Sequence, residues 1–143
     1  MGAVIAVNRN EELLVRAFIS PARRTRWLQS LASVKRRGPF LDRLNHCQDI
    51  DERFATPLPS NADVITLLKS HGAPETCYVV SCTADIDGRE LPLTKAVEDA
   101  EFHGWGTIIS CIPGRLAYYY DECGERRMLL ERKAEPAIVV PAG

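Results

Sequence analysis

Apolar positions recur at helical spacing through the first half of the chain and at strand spacing through the last third. Asn10 stands before Glu11 and Glu12, a capping residue followed by acids that suit a helix N-terminus, so a first helix is expected to about Ile19. Ser20-Pro21 restarts the chain, and a second helix is expected from Ala22 to about Arg37. Its apolar stripe is Trp27, Leu28, Leu31 and Val34. Gly38-Pro39 should end it, and Phe40, Leu41 and Leu44 predict a short third helix expiring near His46. From Gln48 to Pro59 there is no period, which predicts a loop. Ser60-Asn61-Ala62-Asp63 then opens a fourth helix with Val64, Ile65, Leu67 and Leu68 inward, stopped by Gly72.

Cys77 to Thr83 is continuously apolar at first and predicts a central strand, and Asp87-Gly88 predicts a turn. Pro92 to Phe102 reads as a fifth helix with Leu93, Ala96, Val97 and Ala100 inward and Gly104 as its stop. Thr107–Ile112 and Arg115–Asp121 read as strands joined by a type II turn at Pro113-Gly114. A third strand follows at Arg126–Arg132, completing a meander. The expected class is α+β: a helical N-terminal half packed on a mostly antiparallel four-stranded sheet, in the order ααα-α-β-α-β-β-β, with the helices on one face. The Cys77 strand could join the meander by a parallel crossover through the fifth helix. Residues 1–143 read as one domain with loose tails at about 1–9 and 134–143. Leu31, Leu67, Val79, Val97, Ile109 and Leu129 are expected in the core.

Composition narrows the class of protein. Hydrophobic residues make up 45% of the 143 and aromatics only 7%, enough for one ordinary aliphatic core. No apolar run approaches the roughly 20 residues that span a bilayer, and the first ten residues are too short and lack a basic lead for a secretory signal. A cytoplasmic location without membrane contact is therefore expected. The five cysteines have no CxxC pair, which argues against a disulfide framework or a zinc ribbon.

Charge is unevenly placed. Arg16 to Arg43 holds eight basic residues and one acid, a net +7, whereas residues 44–143 hold nine basic and sixteen acidic residues, a net −7. On the second helix Arg23, Arg26 and Arg37, with Ser30 and Ser33, fall on one arc beside the buried stripe, and Lys35 and Arg36 extend the charge. Guanidiniums in that array suit phosphate oxygens, so nucleic acid is one candidate partner. The other reading docks these arginines onto the acidic half, near Glu98, Asp99 or Glu101, and is preferred because no nucleic-acid-binding motif accompanies them.

A second cluster, His46, Asp49 and Asp51, offers ligand types that borderline metals accept, but without the spacing of a zinc site or the glycine of a calcium loop. No metal and no cofactor are expected. Asp85-Ile86-Asp87-Gly88 resembles the first motif of haloacid-dehalogenase-like phosphatases over four residues, yet that fold needs a longer, doubly wound parallel sheet, and the segment reads better as a turn. His71 and His103 each precede a helix-stopping glycine, and no GxSxG or GxxxxGK[ST] is present. In Gly104-Trp105-Gly106 the two glycines suggest a backbone that approaches something closely, but the preferred reading is a plain αβ turn with Trp105 lidding the core. Tyr118, Tyr119 and Tyr120 alternate across one strand, so at least one should meet solvent, a partner or a second copy. The expected function is a non-enzymatic binding or regulatory module acting through the β-meander. Nucleic-acid binding by residues 21–37, or a small enzyme or metal protein at His46, Asp49 and Asp51, are the alternatives.

Overall fold

A computed structural model describes residues 8–133. The first helix, α1 (Arg9–Phe18), is capped by Asn8 rather than Asn10: the Asn8 side chain accepts from the Asn10 N–H at 2.7 Å and the Glu11 N–H at 3.4 Å. The expected helix over 22–37 is two helices. Ser33 is extended (φ −97°, ψ 116°), and its hydroxyl accepts the Arg36 N–H at 3.1 Å. This ends α2 (Arg24–Leu31) and caps a new helix, α3 (Val34–Leu41), which continues through Gly38-Pro39. Val34, placed by the period on the buried stripe, is 60% exposed as a result. The expected third helix contracts to a 3₁₀ turn at Asp42–Leu44, and His46 takes a left-handed φ of 60°.

The remaining elements are β1 (Ala55–Pro57), α4 (Val64–Ser70), β2 (Thr76–Ser81), β3 (Glu90–Pro92), α5 (Leu93–His103), β4 (Thr107–Ile112), β5 (Leu116–Tyr120) and β6 (Arg127–Glu131). The meander and its Pro113-Gly114 turn form as read, with Gly114 at φ 73° and the Arg115 N–H bonded to the Ile112 carbonyl at 2.9 Å. The class is α+β, but the sheet has six strands, in the order β1-β6-β5-β4-β2-β3. Every neighbouring pair is antiparallel. The two extra strands are three-residue edges, too short to carry a period, and Pro57 is tolerated in β1 because an edge strand can spare an N–H. The parallel crossover is likewise corrected: β2 pairs antiparallel with both β3 and β4, and α5 links these two flanking strands.

Helices cover both faces of the sheet, not one. On the first face Phe18, Trp27, Leu31, Leu41 and Leu44 from the N-terminal helices pack on Val80, Ile108, Tyr119 and Leu130. On the second, Val64 and Leu68 of α4 and Leu93, Ala96 and Val97 of α5 pack on Val79, Ile109, Tyr118 and Leu129. Burying both faces explains why β2 and β4 are apolar almost without interruption. Of the six expected core residues all are buried except Leu67, which is half-buried on α4. The expected tails fall outside the described residues, except Asn8 and Arg9, which open α1.

Candidate functional site

The basic segment divides between structure and surface. Arg37 is drawn inward: its guanidinium bonds both oxygens of Glu11, at 2.8 and 2.7 Å, and both of Asp87, at 2.8 and 3.1 Å. Tyr78 donates its hydroxyl to Glu11, and Asp87 also accepts the Ser81 N–H at 3.0 Å. Two carboxylates hold Arg37 above the ordinary arginine range, and burial, helped by the bond to Glu11, pushes the Tyr78 phenol up. This cluster ties α1, α3 and the β2–β3 turn together, so Arg37 is not available to phosphate. Its acids are also not the expected ones, because Glu98, Asp99 and Glu101 belong to α5 on the opposite face.

Arg23, Arg26, Lys35 and Arg36 are exposed. Arg23 lies 3.8 Å from Asp49, and Arg26, Lys35 and Arg36 form no ion pair among the described residues. The first turns of α2 and α3 contain no acid.

His46, Asp49 and Asp51 do not converge. Asp49 is buried and accepts the Trp27 indole N–H at 2.9 Å and two Arg43 bonds at 3.0 and 3.1 Å. Asp51 bonds Arg53, whose guanidinium holds its carboxyl below the usual range. His46 turns instead toward the loop after β5, with Nε2 at 2.8 Å from Glu122 and Nδ1 at 3.7 and 3.8 Å from Asp121 and Glu125. Among the described residues no three His, Cys, Asp or Glu side chains gather closely enough to hold a metal.

The tyrosines are all inside. Tyr118 and Tyr119 are fully buried and Tyr120 is 6% exposed, because β5 is an interior strand covered on both sides. Tyr119 anchors the chain opposite, donating to the Leu44 carbonyl at 2.6 Å and accepting the Cys47 N–H at 3.1 Å. An interface made by these side chains would require the sheet to lose a helical layer.

The exposed aromatics lie elsewhere. Phe102 at the end of α5 is 85% exposed, and Trp105 in the α5–β4 connection is 48% exposed rather than lidding the core. The glycines around Trp105 do mark a close approach. Gly104 is left-handed (φ 74°), and its carbonyl accepts the Cys123 N–H at 2.7 Å. The Gly106 N–H donates to the Asn45 side-chain oxygen at 2.6 Å, and a Cβ at Gly106 would collide with the Leu44 carbonyl. The Trp105 carbonyl accepts the Thr107 hydroxyl at 3.0 Å. The backbone is thus fixed on three sides while the indole stands outward. Beside it, Asp121 is buried, with Oδ1 accepting the N–H groups of His46 and Glu122 at 2.6 and 2.7 Å. Its Oδ2 has no hydrogen-bond partner.

The cysteines offer no activated nucleophile among the groups that burial perturbs. Desolvation pushes Cys47 up to about 11 and Cys77 and Cys111 up to about 12, and it raises Cys82 as well. Compared with protein-family models, curated proteins and solved structures, the chain finds no match.

Proposed function

We propose that the protein is a non-catalytic protein-binding module whose docking surface is the α5–β4 corner bearing Phe102 and Trp105. One observation carries this reading: two large aromatic side chains stand in solvent on a backbone that hydrogen bonds and a close glycine contact hold rigid. Aromatic anchors on preordered backbone are what binding interfaces concentrate, since little conformational freedom is lost when a partner covers them. Most of the buried ionic groups support a structural role, because each has its own partner within the chain: Arg37 with Glu11 and Asp87, Asp49 with Arg43 and Asp51 with Arg53.

The test is site-specific photocrosslinking in living cells, with benzoylphenylalanine at Phe102 and, as control, at exposed Lys69 on α4. A discrete adduct from position 102 alone, lost when Trp105→Ser is added to a variant with unchanged circular dichroism, supports the surface. The same adducts from both positions, or an adduct indifferent to Trp105→Ser, overturns it.

A second reading, an anionic partner on the face formed by α2 and α3, is supported by Lys35 and Arg36. They occupy the first turn of α3, where the helix dipole disfavours cations, so folding gives no reason for them. Salt-sensitive retention on a phosphate matrix that Lys35→Glu/Arg36→Glu abolishes would support that reading; unchanged retention would remove it.

A further inference from the structure

The charge around the exposed aromatics points to the chemistry of what covers them. Glu101 at the end of α5 is exposed, and so is Glu125 in the loop after β5. Glu122 is half-exposed and pairs with His46. Of the other basic side chains here, Arg126 in the same loop turns to the Met128 sulfur at 3.6 Å and forms no ion pair among the described residues, and His103 packs edge-on against Phe102. Beneath them Asp121 Oδ2 is buried without a donor. Four carboxylates, Glu101, Asp121, Glu122 and Glu125, thus stand against Arg126 and the imidazoles of His46 and His103, so the corner presents an apolar centre inside a net negative rim. The Cys123–Gly104 backbone bond at 2.7 Å makes the two halves of that rim one surface.

Resting on the docking reading above, we infer that the covering segment is cationic and carries arginine. Its guanidinium stacks on the Trp105 indole while its N–H groups reach the Glu122 and Glu125 carboxylates. Arginine suits this corner better than lysine: a planar cation stacks on an aromatic face and still donates bidentately in its own plane, whereas an ammonium is a compact, strongly hydrated point charge. The chain contains the same combination internally, with the Arg132 guanidinium 3.9 Å from the Phe54 ring centre while it donates to the Ala17 carbonyl at 3.0 Å. Glu101 adjoins Phe102 in sequence, and the Cys123–Gly104 bond brings the loop of Glu122 and Glu125 against the Trp105 segment, so one short segment can meet both.

The probe is a hexa-arginine peptide titrated into the isotope-labelled full chain, followed by the Trp105 indole and the backbone amides of residues 121–125. Hexa-lysine and hexa-glutamate peptides serve as controls. Hexa-arginine is expected to shift those signals, to bind about fivefold or more tighter than hexa-lysine, and to weaken as salt rises. Trp105→Ala, and separately Glu122→Gln/Glu125→Gln, should each weaken it about tenfold with the rest of the spectrum unchanged. Equal binding of the arginine and glutamate peptides, shifts confined to other acidic residues, or affinity untouched by both variants overturns the inference. If the peptide fails while the position-102 adduct still depends on Trp105, the docking surface stands and its cationic occupant falls. If both fail, the corner is not a binding site.

Discussion

The two helical layers hold the same sheet by different means. The layer formed by α1, α2 and α3 contains every buried carboxylate among the described residues: Glu11, Asp49 and Asp51 under its helices and Asp121 at its rim. The layer formed by α4 and α5 buries no charged side chain among the described residues; its core is Val64, Leu68, Leu93, Ala96, Val97 and their strand partners. The N-terminal helices have 8–10 residues, one has proline inside, and their connections are a single 3₁₀ turn or an extended serine. Helices that short have little stability of their own, so directional bonds from Arg37, Arg43 and Trp27 set where they sit. The second layer does without such bonds although α4 has only 7 residues: α4 and α5 are seated by their apolar faces alone.

The sharpest way to break that comparison is to remove one member from each layer. Arg37→Met leaves Glu11 and Asp87 facing each other without their shared cation and should cost about 3–5 kcal/mol in urea unfolding. Leu68→Ala, fully buried under α4, should cost about 2–5 kcal/mol through lost contact and a cavity. The mechanisms separate on rescue. Adding Glu11→Gln and Asp87→Asn to Arg37→Met should recover more than half the loss, because the penalty is uncompensated charge. A loss under about 1 kcal/mol for Arg37→Met, within the range of an exposed ion pair, would mean that the cluster does not hold the first layer.

A smaller effect on stability comes from pH, and its sign differs between groups. Burial raises Cys77 and Cys111 in the second layer and Cys47 in the first, and it raises Tyr78, Tyr118 and Tyr119 beyond them. A group whose value is higher folded than unfolded contributes its stability below the unfolded value and loses it as pH rises. Stability should therefore fall from about pH 9 upward, thiols first and phenols above about pH 10. Asp51 has the opposite sign: Arg53 holds it low, so its contribution is present at neutral pH and fades as pH falls below about 4. Melting temperature measured from pH 7 to 11 should decline later in Cys77→Val/Cys111→Val than in the parent chain. Parallel curves would show that the thiols of the second layer do not carry the alkaline loss.

What the sequence revealed follows the same division. The second layer and the meander were legible because their signals are local: the period of α5, the glycine after it and the Pro113-Gly114 turn each decide a few neighbouring residues. The first layer was not, because distant partners decide it. Ser33 breaks the helical period, and Arg37, four residues on, pairs with Glu11 and Asp87, far away in sequence. Edge strands β1 and β3 acquire their identity from β6 and β2. The tyrosines were misplaced because one helical layer was assumed, although the unbroken apolar run in β2 already implied two. At the candidate site the flanking glycines announced a close backbone contact, and Gly106 makes it with Leu44. They carried no information on which side the Trp105 ring would take. Asp121, which the sequence places at a strand end, and Glu122 and Glu125 beyond it carry no local signal, because nothing near them in the chain shows His46 arriving beside them.

The smallest expected effect separates folding from binding within the first layer. Lys35 and Arg36 sit in the opening turn of α3 beside backbone N–H groups that already present partial positive charge. Neither forms an ion pair among the described residues, so their charge opposes the helix without compensation from a neighbour. Reversing it in Lys35→Glu or Arg36→Glu should stabilise the protein by about 0.3–1 kcal/mol each at low salt, and less as salt screens the dipole. The effect is the reverse of that at Arg37, one residue further along the same helix, where the positive charge is required. Thermal melts at two salt concentrations check it. A gain that shrinks with salt means that these cations are retained for something other than stability, which strengthens the anionic-partner reading of this face. A loss of stability instead would assign them a structural partner within the chain and leave the Phe102–Trp105 corner as the surface with the stronger case for binding.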